Sequence, residues 1–252
     1  LEIGNWHMVL FTVEREDEVD EALNALLQYK LDGVIILSAL LSSHMARACQ
    51  AQGTPVLLYN RSAEGLGVSS VEINNCGGGR TAADLLCETG HERIAFIAGD
   101  SGDATSALRE AGFADRLAES GLEIFRRETG DFTFESGREA GLRLLARSDR
   151  PDAVFCASDV MALGVLHAAR YELGLEIPRD FSLVGFDDIP AAAWPGHMLT
   201  TIRQPIRRMI REAADMLTQR MTDPEIAPET KAFDGELILR DTVPKLGGGE
   251  PG

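Results

Sequence analysis

PDAVFCASDVMALGVLHAARYELGLEIPRDFSLVGFDDIPAAAWPGHMLTTIRQP runs from Pro151 to Pro205. An apolar strand ends in Ser158-Asp159 and a helical pattern follows. A second strand ends in Asp187-Asp188, and a third leads to Pro205. Polar groups therefore collect where buried strands stop, and in an open α/β sheet ligands bind at the carboxyl ends of the strands.

The same alternation extends in both directions. Strand-like runs of Val, Ile, Leu and Phe occupy 6–13, 32–37, 55–59, 68–73 and 93–99. Amphipathic helical patterns fill 16–29, 42–52, 77–89, 105–120 and 135–147. Toward the C-terminus the reading gives a strand at 152–156, a helix at 159–173, a strand at 181–186, a helix at 205–221 and a strand or hairpin at 231–240. Gly53, Gly90, Gly121 and Gly174 fall just after helices, where a left-handed C-cap favours glycine. Such alternation predicts parallel sheets covered by helices. About a dozen elements exceed one small sheet, so the fold class is α/β with two doubly wound lobes and a ligand cleft between them.

Bulk properties narrow the function. The chain has 252 residues, 44% of them apolar and 25% charged, with a formal net charge of −16. That charge repels phosphate, so nucleic-acid binding must come from sequence outside this segment. No apolar run reaches membrane-span length, and no basic region followed by an apolar core opens the chain. Cys49, Cys76, Cys87 and Cys156 form no CxxC pair and read as small buried hydrophobes in a reducing, cytoplasmic compartment. The five histidines show no metal-ligand spacing, so no metal or other cofactor is expected. Gly77-Gly78-Gly79 fits neither dinucleotide nor P-loop spacing and reads as close backbone packing near a helix start. No nucleophile and base pair emerges, which argues against an enzyme.

Several residues sit where a ligand would. Asp187, after the apolar run SLVGF, can accept paired hydrogen bonds from vicinal hydroxyls or ring N–H groups, or can serve as a turn residue. Asp188 reads as an N-cap for the turn at Ile189-Pro190, and Asp159 as the cap of the helix that begins beside it. Ser158 either shares that capping or faces the cleft. Arg109, early on a helix after RIAFIAG, can point its guanidinium at Asp187 or at an anionic ligand, or lie on the surface. Phe132, flanked by polar and turn residues, can stack on a sugar or base or make a local apolar contact. Ser38, Asn60 and Arg61 follow strands of the first lobe.

Seven segments in order, among them DGVII at 32–36, GTPVLLYNR at 53–61, TGHERIAFIAG at 89–99, GDFTFESG at 130–137 and SDVMALG at 158–164, resemble the effector-binding core of the lactose/galactose repressor (LacI/GalR) family of bacterial transcription regulators. GLEIPRDFSLVGFDDIP and LTTIRQP complete the set. The resemblance implies a periplasmic-binding-protein-like fold in which a small effector, sugar or nucleoside-like, modulates operator binding by a helix-turn-helix headpiece. It places 1–73 with 204–236 in an N-terminal lobe, 74–203 with 237–246 in a C-terminal lobe, and 247–252 in a tail. It aligns Arg109, Phe132 and Asp187 with the family's effector contacts, Ser158 with a position that is often Asn, and Asn60 or Arg61 with a polar contact from the first lobe. It also implies a homodimer. Trp6–Val13 matches the second strand of that core, so the first strand and helix, like the headpiece, lack counterparts here. Leu199–Pro205 reads as a crossover outside the pocket. A solute-binding protein of a sugar transporter is the alternative on the same fold.

Overall fold

The computed structural model describes residues 7–10, 28–29, 31–37, 42–61, 63 and 65–245, with residues 42–44 as backbone alone. The chain divides into two compact units, Leu1–Glu72 with Ile206–Ala232, and Ile73–Pro205 with Phe233–Gly252.

The first unit carries β1 (Val34–Ile36), α1 (Ser42–Ala51), β2 (Val56–Tyr59) and β3 (Ser69–Ile73), then α6 (Ile206–Thr222) and β9 (Thr230–Phe233), with the strands in the order β1-β2-β3-β9. β1, β2 and β3 run parallel. Met45, Ala46 and Cys49 of α1 pack with Val34, Ile36, Val56, Leu58 and Val68. Leu57 is also buried but alternates to the opposite face. A Cβ at Gly33 would lie 3.0–3.1 Å from Met221 and Leu217 of α6, which fixes how closely that helix approaches. Residues 7–10, expected within the first strand, are exposed and in no strand. Their apolar pattern has no ladder to join among the described residues, and 11–13 lie outside them.

The second unit contains α2 (Asn75–Glu88), β4 (Ile94–Ala98), α3 (Ala104–Glu119), β5 (Arg126–Thr129), α4 (Phe134–Leu145), β6 (Ala153–Cys156), α5 (Asp159–His167), β7 (Ser182–Asp187), β8 (Thr200–Arg203) and β10 (Glu236–Ile238). Its sheet has the order β10-β8-β7-β6-β4-β5. All pairs are parallel except β10 with β8. β4 and β6 are buried at every position, as parallel strands covered on both faces require. Edge strand β5 reads Arg-Arg-Glu-Thr, and its charges discourage pairing with another sheet. Phe96, Phe113 and Phe155 form the aromatic centre of the core, with ring centroids 4.9–5.9 Å apart.

Two helix pairs rest on glycine. A Cβ at Gly79 would lie 2.1 Å from the Arg109 carbonyl oxygen, and one at Gly112 would lie 2.0 Å from that of Cys76, so α2 and α3 touch backbone to backbone. Gly137 and Gly164 join α4 to α5 in the same way, at 2.2 Å from the Met161 carbonyl and 2.1 Å from that of Phe134. The 231–240 segment is not a hairpin: β9 and β10 belong to different sheets, β9 lying beside β3 and β10 beside β8, with Asp234 and Gly235 between them. All four cysteines are free thiols. Among the described residues, no helix is long and apolar enough to cross a membrane.

Candidate functional site

In the second unit the chain passes from β4 outward to β5 and then returns to β6 on the other side of β4. This order reverses between β4 and β6, and the crevice above such a switch point is where open α/β sheets bind ligands. The loops leaving β4, β5, β6 and β7 all open on this carboxyl end.

Asp187 ends β7 with φ 116°, and Asp188 follows with φ 56°. Two successive non-glycine residues at positive φ are strained by about 1–3 kcal/mol each and persist only where their contacts over-determine them. The Asp187 side chain is 25% exposed. Its Oδ1 accepts a hydrogen bond from Gln204 Nε2 at 2.6 Å and lies 3.6 Å from Arg109 Nη2. Burial pushes this carboxyl up, while the Arg109 charge and the Gln204 amide pull the other way. Both contacts fall on Oδ1.

Arg109 is buried, so the surface alternative is excluded. Its Nε donates to Asn75 Oδ1 at 2.8 Å and its Nη1 to the Ala157 carbonyl. The guanidinium lies 3.6 Å above the centre of the Phe186 ring, a cation–π stack. A Cβ at Gly78 would lie 2.5 Å from that ring, so the second glycine of the run admits Phe186 as the third admits α3.

Phe132 follows β5 with φ 66°. Its ring occupies the space a side chain at Gly99 would need, 2.1 Å from a Cβ there, and so spans the ends of β5 and β4. Thr133, the next residue, caps α4 by accepting the Ser136 N–H. Ser158 is the N-cap of α5 and accepts the Met161 N–H at 3.4 Å.

Two sequence expectations are corrected here. Asp159 is not the cap of α5, because Ser158 has the extended backbone a cap needs and Asp159 is already inside the first turn. Asp159 is fully buried and instead accepts the Ile189 N–H at 2.9 Å and the Thr201 hydroxyl at 2.6 Å. Asp188 caps nothing either, since the turn at Pro190–Ala193 has no side-chain cap. It pairs with Arg203 and Arg240, each at 2.6 Å. Burial raises the Asp188 carboxyl, but the two guanidinium groups outweigh it and hold it below the usual range.

The segment Leu199–Pro205 also does more than cross over, since Gln204 reaches Asp187. The register pairs Asp187 with Arg203 and so sets Gln204 beside Asp187. Gln204, Asn75 and the Ala157 carbonyl carry no signal in local sequence. Only strand pairing and helix packing bring them to Arg109 and Asp187.

In the first unit, Asn60 ends β2 with φ 54°, and its N–H donates to the Val71 carbonyl at 2.7 Å. Its Oδ1 and the Tyr59 hydroxyl are buried with no partner among the described residues. Arg61 is half-buried. Ser38 lies outside the described residues.

The arrangement in the second unit is a carboxylate acceptor, a buried guanidinium beside it and an aromatic ring nearby. A carboxylate can accept hydrogen bonds from hydroxyl groups, and an aromatic face can cover an apolar surface. Residues 83–243 match the periplasmic binding protein-like domain family. The chain is 34% identical over 226 residues to the HTH-type transcriptional repressor CytR of Escherichia coli K12, covering 89% of this chain and 66% of CytR. It is 36% identical over 219 residues to the HTH-type transcriptional regulator CelR of Thermobifida fusca, covering 84% of this chain and 63% of CelR. It thus spans about two thirds of the length of the curated relatives it matches. The structure of a CelR–cellobiose complex superposes with a TM-score of 0.81 at 34% identity, covering 90% of this chain and 70% of that one. The sequence segments, the doubly wound sheet and these likenesses agree: the chain belongs to the lactose/galactose repressor family and carries its periplasmic-binding-protein-like core.

Proposed function

We propose that this chain is the effector-binding and dimerisation core of a cytoplasmic transcription regulator, and that its effector is a small hydroxylated molecule, a sugar or nucleoside-like compound. The observation that carries the reading is the Arg109–Asp187 pair at the carboxyl end of the second sheet. Likeness to CelR, seen with cellobiose, supports a hydroxylated effector, and likeness to the transcriptional repressor CytR supports the regulatory role. Asp187 accepts from ligand hydroxyls, Arg109 holds Asp187 in place while its charge opposes the upward push of burial on that carboxyl, and Phe132 covers a ring face. Ser158 lines the same end of the sheet, and Asn60 and Arg61 are the candidate contacts of the first unit. Operator DNA is bound by a helix-turn-helix headpiece in a homodimer. The effector changes that affinity only by binding one conformational state better than another.

Calorimetry of the 252-residue chain against monosaccharides, cellobiose and nucleosides tests this reading. A binder is expected whose affinity falls about 100-fold in Asp187→Ala, since hydrogen bonds to a charged group contribute about 1.5–3 kcal/mol each. A panel with no binder, or a binder indifferent to Asp187→Ala, refutes it.

A further inference from the structure

Asp159 is a buried carboxylate that the proposed binding role does not use. Among the described residues no cation contacts it, although an ionised group away from water ordinarily requires one. Space has been made for it nonetheless. A Cβ at Gly185 would lie 2.2 Å from Asp159 Oδ1, so the fourth residue of β7 must be glycine for the carboxylate to fit. Oδ1 then accepts from Thr201 of β8, and Oδ2 from the backbone N–H of Ile189. Ile189 directly follows Asp187, the last residue of β7, and Asp188, the two strained residues of this turn.

We propose that Asp159 is a positioning residue for the ligand anchor: seated on Gly185, it grips the Asp187–Ile189 turn from beneath and ties it to β8. The claim rests on the assignment of Asp187 as the anchor. Both oxygens of Asp159 meet donors, so the ionised form satisfies the site and a protonated form gives up one acceptor. The titratable groups facing it are Asp187 and Asp188 from the turn, both carboxyls, and, from β6, the Cys156 thiol, which burial keeps in its neutral form. Arg203 and Arg240 approach the same turn but are bound to Asp188. Burial, and then the Asp187 and Asp188 charges, push the Asp159 carboxyl up to about 7 against the pull of its two hydrogen bonds. The grip on Ile189 therefore weakens as pH falls through neutrality.

The test needs no ligand. NMR of the 252-residue chain follows the Asp159 carboxyl carbon and the amides of Asp187 and Ile189 across neutral pH. One shared midpoint for all three is expected. Asp159→Asn should erase the step at both amides, leave the Phe96 amide unmoved and speed hydrogen exchange at Ile189 at least tenfold. Amides that stay still while Asp159 titrates overturn the proposal, as does unchanged Ile189 exchange in Asp159→Asn. Should that variant not fold, Thr201→Val decides. It removes one hydrogen bond to the carboxylate, so the carboxyl and amide midpoints must rise together, and separate movement refutes the coupling. Because no effector enters, failure here leaves the calorimetric test of Asp187 standing, and failure there leaves this grip intact.

Discussion

Gly79→Ala tests whether the contact between α2 and α3 sets the position of Arg109. In an ordinary helix interior this substitution stabilises by about 1 kcal/mol, because alanine is the better helix former. Here the new methyl would lie 2.1 Å from the Arg109 carbonyl oxygen and 3.0 Å from the Phe113 nitrogen. Both are backbone atoms, so no rotamer relieves the clash and the helices must separate. Overpacking of this kind costs about 1–3 kcal/mol. Moving that turn of α3 also pulls the buried guanidinium away from Asn75 and the Ala157 carbonyl, hydrogen bonds to a charged group that contribute about 1.5–3 kcal/mol each. If both bonds are lost, the net expectation is a loss of about 3–8 kcal/mol after the helix gain is subtracted, and about 2 kcal/mol at most if neither is. Urea denaturation followed by Trp194 in a Trp6→Phe background reads the second unit, since the chain has two tryptophans. A variant as stable as its parent, or more stable by the helix-propensity gain, refutes the claim that this contact is tight.

Gly99→Ala should destabilise by about 1–3 kcal/mol in the parent and by almost nothing in a Phe132→Ala background, because the ring it strikes is gone; equal losses in the two backgrounds contradict the placement of Phe132. Arg240→Met removes one of the two guanidinium partners of Asp188, both side chains of that pair being buried, and should cost about 1.5–3 kcal/mol near neutral pH. Asp188 is held below its ordinary value, so its pairing stabilises above the unfolded pKa and is lost as pH falls through the folded one. Arg240→Met must therefore bring acid unfolding to a higher pH, which circular dichroism against pH measures. Asp159 has the opposite sign. Its folded value of about 7 lies above the unfolded value of 3.8, so its contribution is full below that value and lost as pH rises toward 7. At about 1.4 kcal/mol per unit, the stability of Asp159→Asn relative to wild type should rise by about 4 kcal/mol across that window; a difference that does not vary with pH contradicts the buried, uncompensated carboxylate.

Much of the architecture was readable because the signals are local. The apolar runs of β4, β6 and β7 predict buried parallel strands, and Gly90 and Gly121 end their helices at φ 81° and 75° as C-caps do. Asp187 stood out because a polar residue closing an apolar strand has few structural reasons to be there. What misled was the choice between neighbours. Ser158 and Asp159 both suit a cap, and only the extended backbone at Ser158 decides between them. The partners of Arg109 come from α2, the loop after β6 and β7, elements whose approach depends on Gly78 and Gly79 rather than on any motif around Arg109. A hairpin was open for β9 and β10 because the two residues Asp234-Gly235 between short extended runs look like a hairpin turn until the sheet partners are known.

The partition of the chain between its units carries a consequence for biosynthesis. β1, β2 and β3 leave the ribosome early, yet α6 and β9, which complete their unit, lie beyond the whole of Ile73–Pro205. At about 5–20 residues per second, that intervening stretch takes roughly 7–27 s to translate. During that interval the second unit can assemble most of its sheet, while the first presents a half-built sheet whose β3 edge awaits β9 and whose second face awaits α6. A nascent chain of this design is exposed to misassociation for as long as α6 and β9 remain unmade.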